Sequence, residues 1–149
     1  MKFSNEAMRD TLLFLEENIK YETYGTFDDK RKTTYNISMI VENEYFSNLF
    51  SKHKYTKDEL RYTIEKMIEG HILNSTGSLD THCRITDISF YGLQLLETIR
   101  PETTWEKTKS IAGKMGNHTL KFIEDTAQKI AVTATATFIS NLNNHNIQK

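Results

Sequence analysis

The chain has 149 residues, 38% of them hydrophobic, and its 19 basic and 20 acidic side chains leave a net charge of −1, a size that buries one core without staples. No run of about 18 apolar residues occurs, and Met1 to Glu6 turns acidic where a signal peptide needs an apolar stretch. The single cysteine, Cys83, cannot close an intramolecular disulfide. These features point to a soluble cytoplasmic protein, exclude a disulfide-framed secreted scaffold, and withhold the basic surplus usual in nucleic-acid-binding domains.

The expected elements are mostly helical. Met8, Leu12, Leu15 and Ile19 recur at helical spacing, so a first helix begins near Ser4 or Asn5. Tyr21 to Lys32 has no apolar period and reads as a solvated loop. Tyr35, Ile37, Met39 and Val41 alternate with polar neighbours and predict a strand, after which Phe46, Leu49 and Phe50 predict a short second helix. Thr56 and Glu59 have the spacing of a capping box, with Tyr55 and Leu60 as its hydrophobic staple, and start a third helix. Its inward stripe is Leu60, Ile64, Met67 and Ile68, and Gly70 supplies the left-handed residue that ends it.

Ile72 to Asn74 and His82 to Thr86 flank the turn-rich Ser75-Thr76-Gly77-Ser78 and predict a β-hairpin. A further helix opens at Ser89 with Leu93, Leu96 and Ile99 inward and stops before Pro101. Trp105 to Met115 predicts another, closed by Gly116, in which Trp105 packs into the core. The last, about residues 117–141, repeats Leu120, Ile123, Ala127, Ile130, Ala134 and Phe138 at heptad-like spacing. The order predicts a mainly α fold with a small β-wing, a winged helix-turn-helix core over 1–87 followed by C-terminal helices over 88–149, which form one compact domain overall.

From Ile88 to Arg100, with Trp105 thirteen positions beyond Gly92, the sequence resembles the phage and prophage family called domain of unknown function 2513. Members show a similar run of a hydroxyl residue, Gly, a paired apolar step, Ile-Arg and then Trp. Tyr55 to Ile72, with its hydroxyl-x-x-Glu cap, is similar to the family's third helix. The resemblance implies a winged-helix protein of a phage or mobile element, and no catalytic motif or cofactor comes with it.

Asp80, His82 and Cys83 stand close together but lack the partner spacing of a metal site, and no phosphate loop, nucleophile elbow or carboxylate pair is present. The expectation is a protein that is not an enzyme and carries no metal or cofactor. With its apolar stripe inward, the third helix leaves Lys57, Arg61, Tyr62 and Lys66 toward solvent, flanked by Arg84 from the wing, as a macromolecule-binding face. Lys54, Lys57, Arg61 and Lys66 are balanced there by Asp58, Glu59, Glu65 and Glu69. That balance favours an adaptor binding a host or phage protein over the alternative, a regulator that binds double-stranded DNA. The heptad-like stripe from Leu120 to Phe138 is the expected homodimer interface, unless that helix folds back on its own domain.

Overall fold

Ser4 opens the first helix because its hydroxyl oxygen accepts the Ala7 amide at 3.1 Å, satisfying one donor that a helix N-terminus leaves open. The computed structural model describes residues 1–25, 29–79 and 82–147. Helix α1 (Asn5–Asn18) is followed by strands β1 (Tyr21–Tyr24) and β2 (Asp29–Lys32), helix α2 (Ile37–Val41), a 3-10 turn (Glu44–Phe46) and helix α3 (Leu49–Lys52). Then come α4 (Lys57–Glu69), β3 (Leu73–Thr76), β4 (Arg84–Ile88), α5 (Phe90–Ile99), α6 (Glu102–Met115) and α7 (Leu120–Ile147). The fold is mainly helical, with two small antiparallel hairpins, β1–β2 and β3–β4. The chain divides into two units, Met1–Leu96 and Glu97–Lys149.

In the first unit α4 packs on α1, α2 and β3, and β4 packs on α1. The capping box is complete: Thr56 Oγ1 accepts the Glu59 amide at 3.1 Å, and the Glu59 carboxylate accepts the Thr56 amide at 2.9 Å. Both staple residues, Tyr55 and Leu60, are buried. Leu60, Ile64 and Met67 are fully buried, each stabilising the fold by about 1.5–3 kcal/mol. Thr63, rather than the expected Ile68, completes that stripe. Its hydroxyl accepts the Ser4 amide at 3.0 Å, so a buried polar atom is satisfied and the start of α1 is tied to α4. Phe14 anchors an aromatic cluster with Tyr35, Tyr45 and Phe46, ring centroids 5.3–5.4 Å away.

Three expectations are corrected here. The supposed strand from Tyr35 to Val41 is only a single bridge, Tyr35 to Ile85, followed by helix α2. The Asn36 side chain accepts the Met39 amide at 2.8 Å and turns the chain helical. Ile37, Ile40 and Val41 are then buried at helical spacing while Met39 is exposed. The supposed loop from Tyr21 is the hairpin β1–β2, paired Tyr21 to Lys32 through Tyr24 to Asp29. All eight of its strand residues are exposed, so no apolar alternation marks it. The end of α4 is left-handed at His71 (φ 59°), not at Gly70 (φ −83°). The Ile72 amide reaches back to the Met67 carbonyl at 2.8 Å, a Schellman closure whose left-handed residue lies one place later.

The family-like motif after β4 has a structural explanation. Ser89 Oγ accepts the Gly92 amide at 2.9 Å, capping α5, and lies 2.6 Å from the His71 carbonyl oxygen to which it donates. A Cβ on Gly92 would stand 2.3 Å from the Ile72 carbonyl oxygen and 2.7 Å from Ile88 Cγ2. Glycine alone lets the helix approach the hairpin this closely. The buried face of α5 is therefore Gly92, Leu95, Leu96 and Ile99, whereas Leu93, expected inward, is 41% exposed.

In the second unit α6 packs on α7. Trp105 is buried, as are Thr108, Ala112, Ile123 and Ala127. Gly116 takes φ 64° and the Asn117 amide bonds the Ala112 carbonyl at 3.1 Å, closing α6. Ala131 to Thr137, β-branched but not a strand, is continuous helix within α7. No helix among the described residues is long and apolar enough to cross a membrane.

Candidate functional site

Helix α4, the start of α2 and the tip side of the β3–β4 hairpin line a polar cleft of about 340 Å³. Arg61 and Glu65 enter it from α4, Asn36, Ile37 and Ser38 from the start of α2, and Leu79, His82, Cys83 and Arg84 from the hairpin. Two of the residues expected to bind a macromolecule, Arg61 and Arg84, thus share one cleft. An Arg61 guanidinium nitrogen lies 3.4 Å from Ser38 Oγ, and one of Arg84 lies 3.3 Å from Thr34 Oγ1.

The other three expected residues lie outside that cleft. Lys57 pairs with Glu42 at 2.9 Å and Lys66 with Glu69 at 2.8 Å. The Lys66 ammonium also sits 5.5 Å over the Tyr62 ring. Its pKa is raised above the ordinary lysine value, chiefly by the hydrogen bond to Glu69. Each lysine's charge is thereby matched by a neighbouring carboxylate, and such exposed pairs add little stability.

Sequence reasoning did not identify the contribution of Asn36 and Ser38, because it made their segment a strand. The asparagine three residues before Met39 was the available signal, since Asn at that spacing is a common helix cap. Of the acidic, histidine and cysteine group near the hairpin tip, Asp80 lies outside the described residues. Among those described, no group of three or more His, Cys, Asp or Glu could hold a metal ion.

A second polar cluster lies apart from the cleft, between α1 and the segment joining α3 to α4. The buried Asp10 carboxylate accepts the Tyr55 hydroxyl at 2.8 Å and sits 2.7 Å from His53 Nδ1. Burial, together with the Asp10 charge and hydrogen bond, pushes the Tyr55 phenol well above the ordinary tyrosine range. This cluster braces the fold; its carboxylate is buried.

The expected dimer stripe is split by burial. Ile123 and Ala127 are buried, Leu120 and Ile130 are half-buried, and Ala134 and Phe138 are exposed. Its first part is thus already covered in a single copy of the chain.

Neither a curated protein nor a solved structure matches the chain. The model of the family described as hypothetical protein, DUF2513, matches residues 2–118, and with that span covering most of its length the chain belongs to this family.

Proposed function

We propose that residues 1–87 form a winged-helix binding module, extended by the helices of 88–149, that acts without catalysis as an adaptor for a protein partner. The element order supports the winged-helix reading: α1, the bridge at Tyr35, α2, then α4 behind its capping box, and the β3–β4 ribbon as the wing. The likeness of Ile88 to Arg100 and Trp105 to phage and prophage proteins supports a setting in a host cell carrying such an element, with a host or phage protein as partner.

One observation carries the choice of partner. The face of α4 that would enter a DNA groove has Lys57 and Lys66 paired with Glu42 and Glu69, while Glu65 shares the cleft with Arg61 and Arg84. Phosphates approaching that face would meet carboxylates as well as cations. Side chains of a protein, which bring both signs of charge and neutral hydrogen-bonding groups, suit a mixed cleft better.

The test places a photo-crosslinking residue at Ser38, on the rim of the cleft, in host cells that carry the element. One discrete protein adduct that Arg61→Ala removes agrees with the proposal. Fluorescence anisotropy against duplex DNA at low salt is the counter-test. Affinity that falls steeply with added salt and vanishes in Lys57→Glu with Arg61→Glu replaces the adaptor by the DNA-binding regulator.

A further inference from the structure

We infer that the second half of α7 is a self-pairing surface on which two copies of this chain meet antiparallel about a two-fold axis near Thr135. Helix α6 has 14 residues and α7 has 28, about 21 Å against 42 Å of helix, so α6 cannot flank all of α7. Burial along α7 accordingly stops at Ala127. From Val132 to His145 every side chain is exposed, with Val132 at 68%, Phe138 at 64% and Ile139 at 52%.

That stretch differs from an ordinary solvated helix face. From Ile130 to Ile147 the sequence holds no Asp, Glu, Lys or Arg, so a second copy laid along it meets no like charge. At its centre Thr135 donates to the Ala131 carbonyl at 3.0 Å. This hydroxyl can leave water without orphaning a donor.

The pattern of side chains identifies the occupant as a second copy. Gln128, Ala131, Val132, Thr135, Phe138, Ile139 and Leu142 share one helix face centred on Thr135, and what distinguishes that face is the size of its side chains. Small or polar side chains stand before Thr135 and larger ones after it. An antiparallel pair centred there sets Ile139 against Ala131, Phe138 against Val132 and Leu142 against Gln128, twice over, as a two-fold interface requires. This face lies roughly a third of a turn round the helix from Ile123 and Ala127, so pairing leaves the packing of α6 on α7 intact. Such a pair, about 22 Å long, buries on the order of 1,000 Å² in total, the lower end of what specific association needs. Of the stripe expected from heptad spacing, only Phe138 belongs to this face.

Sedimentation of the full chain at micromolar concentration tests the pairing. The expected mass is twice the 17.4 kDa chain, falling to one chain in Phe138→Glu with helix content unchanged by circular dichroism. In a Cys83→Ser background, Thr135→Cys should oxidise to a covalent dimer, whereas Ser140→Cys, on another side of the helix, should not. A single-chain mass for the wild type, a dimer that survives Phe138→Glu, or equal cross-linking at both positions overturns the inference.

Discussion

The two hairpins share a secondary structure and little else. In β3–β4, Leu73 pairs opposite Ile88, and both are buried together with Ile85; the ribbon is part of the core of the first unit. In β1–β2 every strand residue faces water, and the ladder is reinforced by Arg31 and Lys32 lying 5.4 and 5.7 Å over the rings of Tyr24 and Tyr21. The base of this hairpin is also tethered, through the Lys32 ion pair with Asp87. That bond raises the Lys32 pKa above its ordinary value. The contrast shows that backbone pairing alone specifies neither how much a ribbon stabilises a fold nor how visible it is in sequence. Exposed cation–π contacts contribute about 0.5–1 kcal/mol each, against several for a buried branched side chain.

The difference between the ribbons can be broken most directly where it is widest, at the buried side chains of β4. Ile85→Ala should lower unfolding stability by about 4 kcal/mol by leaving a cavity in the core, whereas Tyr24→Ala should lower it by about 1 kcal/mol at most. Equal losses in urea unfolding would erase the distinction between anchored and solvated ribbon. Gly92→Ala should cost about 3 kcal/mol, because its methyl group drives α5 away from the Ile72 carbonyl at the entry to β3.

A fourth substitution turns from the ribbons to the polar brace around Asp10. Tyr55→Phe should lose about 2 kcal/mol at neutral pH by removing a buried hydrogen bond to a carboxylate. The folded phenol holds its proton above the ordinary value of 10.0, so wild-type stability from this group is complete below about pH 10. Above it the unfolded chain loses that proton first, and stability falls by up to about 1.4 kcal/mol per pH unit. Stability measured against pH should show this alkaline decline in the wild type and a shallower one in Tyr55→Phe. The smallest expected effect is a gain: His71→Gly, at φ 59° just ahead of β3, should stabilise the fold by about 0.5–1 kcal/mol by relieving left-handed strain.

What could be read from the sequence follows the same physics. The capping box at Thr56, the stripe from Leu60 to Met67, the β3–β4 ribbon, the burial of Trp105 and the closure at Gly116 were legible because each couples a local signal to a core. The β1–β2 ribbon was not, since a strand wet on both faces leaves no alternation in its residues. At Ile37 to Val41 the apolar side chains fit periods of two and of nearly four, and a single side-chain bond from Asn36 decided for helix. Of the candidate site, Arg61 and Arg84 were anticipated. Their meeting in one cleft was not, because it depends on where α2 turns.

Cys83 lines that cleft as the only thiol in the chain. Alkylation with an environment-sensitive dye therefore labels each molecule once, at a known address, without any engineered cysteine. Emission from such a conjugate reads out occupation of the space between the two guanidinium groups, which turns a search for partners into an optical titration.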